Sequence, residues 1–137
     1  MKVHHHVPGA GTDFRPTDAK VTELTGRWAD WLSDDDRSRI RLGLHELLVN
    51  IREHAYRGCG GPIDIVFTAY SDAFQVEVTD QGDSFEGKVA RPLPVLPAES
   101  GYGLAIIHAV FNQVRYERIA GRNCWALEVR RPCGGNP

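Results

Sequence analysis

The sequence predicts an α+β two-layer sandwich, one mixed and mostly antiparallel sheet with helices packed on one face. Its elements are segregated: two helical stretches, two strands, a long irregular segment, a third helix and two more strands, an order that suits a layered α+β domain. Apolar residues recur with a helical period in the helical stretches and alternate in the strands. The length of 137 residues is that of one domain and can bury a core without metal or disulfide.

Composition narrows the function classes. Hydrophobic residues make up 42% and charged residues 25%, as in ordinary globular proteins, which excludes disorder and collagen-like structure for the whole chain. Sixteen Lys and Arg oppose 18 Asp and Glu, for a net charge of −2. With no basic stripe, a dedicated nucleic-acid module is disfavoured, although backbone amides can still hold a small anion. Cys59, Cys124 and Cys133 form no C-x-x-C pair, which speaks against a cysteine zinc site or redox pair and suits a reducing compartment. No apolar run reaches the length of a membrane span, and the N-terminus lacks a signal peptide's apolar region. A cytoplasmic protein without a membrane partner is expected.

Residues 2–7 alternate weakly, so 1–12 reads as an N-terminal strand or arm, ahead of a domain over 13–131 and a flexible tail over 132–137. Asp13 or Thr17 can cap a first helix through about Leu32, with Val21, Leu24, Trp28, Trp31 and Leu32 at helical spacing. Trp28 and Trp31 are expected in the core, where large aromatics mostly pack. Ser33-Asp34-Asp35-Asp36 is a strong second start signal, predicting a helix from about Asp35 to Tyr56 that the following glycines end. Strands are predicted over 63–70 and 74–79. Residues 80–102 have neither period and carry Pro92, Pro94 and Pro97, which reads as a functional lid or linker. A short apolar helix over 103–112 follows, then strands over 114–119 and 124–130 joined by a turn at 120–123.

Three local patterns can carry chemistry. On the second helix, Glu46, Asn50 and His54 recur at i, i+4 and i+8 and so share one stripe, bordering an apolar face of Ile40, Leu44, Leu47, Leu48, Ile51 and Ala55. Gly43, on the same side, leaves space above them. An Asn oxygen is a neutral hard ligand for magnesium, and a nearby Glu can take a proton from an attacking hydroxyl. A solvated helix flank is the plain alternative. His45-Glu46 opens like a zinc-protease motif, but Val49 stands where the second His belongs. His4, His5 and His6 alternate across a strand and cannot all face one ion. At a strand end, Asp80 falls on the side of Phe74, Val76 and Val78, so its carboxylate turns inward and needs a donor. An exocyclic amine such as adenine's serves, and Gly82 lets the backbone approach a flat base. Finally, Gly101 and Gly103 open a helix whose free amides suit an anion.

Taken in order, E-x-x-x-N-x-x-x-H-A-Y, D-x-G-x-x-F and S-G-x-G-L resemble the Bergerat-type ATP-binding fold of the GHKL superfamily, which includes gyrase, histidine kinases and MutL. The likeness is greatest to bacterial anti-sigma-factor serine kinases and covers about residues 13 to 131. It implies ATP and Mg2+ as cofactors. Asn50 is then the magnesium ligand, Glu46 the general base toward a substrate serine, and Asp80 the acceptor of the adenine amine with Gly82 beside the base. Gly101 and Gly103 frame the phosphates, with His54 and Ser100 nearby. Ser84 stands where many superfamily members have glycine, and Tyr102 separates the two phosphate glycines. With no lysine in the lid after Lys88, the γ-phosphate partner is then an arginine such as Arg91 or a residue from elsewhere. The implied function is an anti-sigma factor that phosphorylates a STAS-type anti-anti-sigma partner, with a sigma factor as its other partner and a homodimer as the family's assembly. The alternatives are a nucleotide-binding module that switches partners without phosphotransfer, and a catalytic domain detached from a histidine kinase.

Overall fold

The computed structural model describes residues 1–9, 13–85 and 102–132, the side chains of 102 and 103 excepted. Strand β1 (Lys2–Val7) is followed by helices α1 (Arg15–Trp28) and α2 (Asp34–Asn50), and α2 runs directly into a π-helical turn, Ile51–Ala55. Strands β2 (Ile63–Ala69) and β3 (Ala73–Asp80), helix α3 (Tyr102–Val110) and strands β4 (Gln113–Ile119) and β5 (Arg122–Arg130) complete it. The sheet order is β1-β2-β3-β5-β4. Every pairing among the described residues is antiparallel, in line with the mostly antiparallel sheet expected. The N-terminal segment is an edge strand of that sheet.

The strand alternation points one face at the helices. Phe74, Val76, Val78 and Asp80 of β3 are all buried, as are Trp125 and Leu127 of β5. From the other layer, the apolar stripe of α2 and the π turn after it is buried, from Ile40 to Ala55. In β1, His5 turns inward and its Nε2 lies 3.0 Å from Thr17 Oγ1, while His4 and His6 are exposed. Thr17 is therefore a buried anchor within α1. The helix begins after Phe14, with Asp13 Oδ1 accepting from the Arg15 amide at 3.0 Å.

The start of α2 is a full capping box: Ser33 Oγ accepts from the Asp36 amide at 3.0 Å, and Asp36 Oδ2 accepts from the Ser33 amide at 3.3 Å. Such a cap contributes about 1 kcal/mol.

Two expectations fail here. Trp28 is 49% exposed. The helix ends at that residue, and Ala29 and Leu32 of the following turn occupy the inward position instead; Trp31 is half-buried. Gly43 leaves no open space either. A Cβ there would come 2.8 Å from Phe111 Cε2 and 3.2 Å from Val110 Cβ, so this glycine lets the end of α3 pack closely on α2.

Candidate nucleotide-binding site

Asp80, the last residue of β3, is 1% exposed. Its Oδ1 accepts from the Gly82 amide at 2.8 Å and from Asn123 Nδ2 at 2.8 Å. Its Oδ2 is buried and has no hydrogen-bond partner among the described residues. Burial pushes the Asp80 carboxyl above the usual aspartate range, against the hydrogen bonds from Asn123 and Gly82 and the charge of Arg118. A buried acceptor without a donor is costly. The group therefore suits a ligand that brings an N–H to Oδ2.

The end of the second helix is joined to this carboxylate. After Asn50 the helix widens: the Tyr56 amide donates to the Ile51 carbonyl at 2.9 Å and the Gly58 amide to the Arg52 carbonyl at 2.8 Å. Arg57 and Gly58 then leave the helix with φ of 54° and 77°. The Ala55 carbonyl, left free where the helix ends, accepts from the Asp83 amide at 2.8 Å. Tyr56 closes the junction, its hydroxyl donating to the Pro62 carbonyl at 2.6 Å and accepting from the Gln81 amide at 2.8 Å. Arg57 Nε pairs with Asp83 Oδ2 at 2.6 Å. Single π turns of this kind recur at functional sites.

Gly82 is fixed by the same junction. A Cβ on it would lie 2.5 Å from the Ala55 carbonyl oxygen and 2.6 Å from its carbon. The close approach that this glycine permits is to the helix backbone. Gly82→Ala is expected to cost about 1–3 kcal/mol, the usual range for overpacking, and to weaken adenine-nucleotide binding by moving Asp80 off the helix end. Urea unfolding and ADP titration of the variant check this; wild-type values in both would contradict the tight junction.

The sequence-derived residues are distributed as follows. Asn50 is 7% exposed, and its side chain makes no hydrogen bond among the described residues. Glu46, one turn earlier, is half-buried and also unpaired among them. His54 is exposed and lies in the π turn that follows Asn50. Gly103 lies in the first turn of α3. Ser100, Gly101, Arg91 and the rest of residues 86–101 of the expected lid lie outside the described residues.

The sequence reading missed three residues here, Tyr116, Arg118 and Asn123, and gave Tyr56, the end of the helix motif, no role of its own. Asn123, expected in a turn, is the second residue of β5, opposite Asp80 in register and 0% exposed. Its inward parity with Trp125 and Leu127 is the signal that could have found it.

Two observations test the fit of a magnesium nucleotide. The Asp80 Oδ2 orphan matches the adenine amine, and the unpaired, buried Asn50 amide matches a neutral oxygen ligand for magnesium. Among the described residues no group of three or more His, Cys, Asp or Glu side chains could hold a metal ion, and magnesium bound through substrate phosphates needs no such cage.

The fold is that of a histidine kinase-like domain. Residues 14–129 match the model of the histidine kinase-like ATPase domain, and the chain belongs to that family. Among curated relatives it is 31% identical over 112 residues to serine-protein kinase RsbW of Bacillus cereus (strain AH187), covering 74% of this chain and 66% of that protein. It is 33% identical over 91 residues to serine-protein kinase RsbW of Bacillus mycoides (strain KBAB4), covering 59% and 56%. The chain thus spans somewhat over half to two-thirds of these relatives' length. Among solved structures, that of the RsbU and RsbW domains of Rv1364c from Mycobacterium tuberculosis matches 96% of this chain and 33% of that one, with a TM-score of 0.67 and 20% identity. The catalytic domain of histidine kinase ThkA matches 94% and 98%, with a TM-score of 0.58 and 16% identity. Both share the fold. No helix among the described residues is long and apolar enough to cross a membrane.

Proposed function

We propose that the domain is an ATP-dependent serine-protein kinase and cytoplasmic anti-sigma factor, which phosphorylates a serine on a STAS-type anti-anti-sigma partner and so keeps that antagonist from releasing the sigma factor. The observation that carries the reading is the buried, unpaired Asp80 Oδ2 at the junction of the motifs. The likeness to serine-protein kinases named RsbW supports it.

Each residue has a task in that reaction. Asp80 accepts the adenine amine through Oδ2, and Gly82 with Tyr56 keeps the base pocket against the helix end. Asn50 offers its side-chain oxygen to magnesium, which when bound neutralises charge on the phosphates. Gly103, with Gly101 and Ser100, presents the start of α3 to phosphate oxygens. Glu46 accepts the proton of the partner's serine hydroxyl. The serine oxygen then bonds to the γ-phosphorus, the bond from that phosphorus to the bridging oxygen breaks, and ADP leaves.

The test is transfer of label from γ-labelled Mg-ATP to STAS-domain proteins encoded in the same genome. Acid-stable phosphoserine on one of them is the expected product. Label on histidine, which is acid-labile, would instead identify a detached histidine-kinase domain. ATP-dependent partner binding without transfer would identify a switching module.

A further inference from the structure

Asn123 spends its whole hydrogen-bonding capacity on the base pocket. A carboxamide has two N–H donors and an oxygen with two lone pairs. Nδ2 donates to Asp80 Oδ1 at 2.8 Å and to the Asp83 carbonyl at 2.7 Å. Oδ1 accepts from the Tyr116 hydroxyl at 2.5 Å and from Arg118 Nη1 at 3.0 Å. The two ends have opposite partners, so turning the amide over would set its NH2 against a guanidinium and its oxygen against a carboxylate. That network assigns its orientation.

We propose that Asn123 is the positioning residue for purine selectivity: it holds Asp80 so that the oxygen facing the base is an acceptor, and it stitches the segment after β3 to the β4–β5 hairpin. The proposal rests on Asp80 being the adenine acceptor. The geometry carries both halves of it. With Oδ1 held by Asn123 and Gly82, the carboxylate cannot rotate without losing both bonds, and only Oδ2 is left for a ligand. On the other side, Arg118 Nη1 donates to the Gly82 carbonyl at 2.7 Å and the Phe85 amide donates to the Tyr116 hydroxyl at 2.8 Å. Gly82, Asp83 and Phe85 are thus all tied to Asn123 directly or through one of its partners.

The donor on Asp80 Oδ1 also favours its ionised form, against the larger effect of burial. The groups facing Asp80 are Asn123 from β5, Arg118 from β4, the Gly82 amide from the segment after β3, and Tyr56 from the helix end. Burial works against the carboxylate and the Asn123 donor works for it. A protonated Asp80 presents a donor, which fits the carbonyl of hypoxanthine better than the amine of adenine.

The test is calorimetric titration of ADP and IDP, across pH, into wild type, Asn123→Ala and Asn123→Asp. Wild type is expected to prefer ADP. Asn123→Ala is expected to lose about 10- to 100-fold in ADP affinity, the value of one charged hydrogen bond, and to lose most of its preference over IDP. Asn123→Asp is nearly isosteric, which keeps the proposal testable if the alanine variant does not fold. It sets two carboxylates face to face, and such a pair retains a proton to unusually high pH. Its ADP binding is therefore expected to weaken at high pH, where that last proton is lost, and to strengthen as pH falls through that raised value, the reverse of wild type. Folded variants with wild-type affinity and pH dependence would overturn the proposal. So would equal weakening of ADP and IDP with no change in pH profile, which is what a purely structural role predicts. A wild type that binds neither nucleotide would overturn the adenine reading itself.

Discussion

Asp80→Asn is expected to abolish selective adenine binding, weakening ATP and ADP by at least about 100-fold. A hydrogen bond to a buried charged acceptor contributes about 1.5–3 kcal/mol, and tenfold in affinity is 1.4 kcal/mol. The surrounding network makes the loss larger. The Gly82 amide and Asn123 Nδ2 both donate to the Oδ1 position, so the new amide must keep its oxygen there and turn its NH2 to the base. A donor then meets the donor of adenine. Inosine nucleotides, with a carbonyl at that place, should lose far less. Competition of ADP and IDP for the variant measures this directly; an unchanged preference for ADP would remove Asp80 from base recognition.

The pH dependence of the wild type follows from the same carboxylate. Burial raises the folded-state pKa of Asp80 above its ordinary value. Ionised Asp80 therefore opposes folding at pH above both its folded and unfolded values, and that cost is relieved as pH falls through the folded value. Nucleotide affinity runs the other way: it is full while Asp80 is ionised and is lost as pH falls through that raised value. Titration of ADP between pH 8 and pH 5 should show the loss beginning at higher pH than an exposed aspartate would give, and Asp80→Asn should show no such step.

Glu46→Gln is expected to leave ATP binding nearly intact and to slow phosphotransfer by about 10²–10⁴-fold, the usual contribution of a general base. Glu46 is half-buried on α2, one turn before Asn50, with no partner among the described residues, so the substitution breaks no described contact. Initial rates of partner phosphorylation at saturating Mg-ATP, beside an ATP titration, separate the two quantities. Normal transfer by the variant would take Glu46 out of the role, and loss of ATP binding would make it a binding residue.

Periodicity made the layers of this fold legible. The stripe from Ile40 to Ala55 and the alternation Phe74, Val76, Val78, Asp80 are local patterns, and each is buried as read. That alternation turned Asp80 inward, and the helix spacing put Glu46 and Asn50 together. The rest depended on contacts between distant segments. Nothing near His54 announces a π turn, which arises where the helix end meets the Gly82 segment. The role of Asn123 requires the β3–β5 register, which pairs residues 43 apart. A two-residue turn at Ala120 and Gly121, with φ of 51° and 78°, sets Ile119 opposite Arg122, as hairpins of this kind do. A polar residue of inward parity just past such a turn was the available signal, hidden by reading the turn as four residues. Trp28 went astray because its helix stops there and smaller residues fill the inward place.

In the proposed function Asp80 heads an adenine pocket beside a magnesium site at Asn50. Calorimetric titration of wild type with ATP, ADP and GTP, with and without magnesium, tests it most directly. Magnesium-dependent ATP binding that excludes GTP is the expected result. Absence of nucleotide binding, or equal affinity for ATP and GTP, would contradict it.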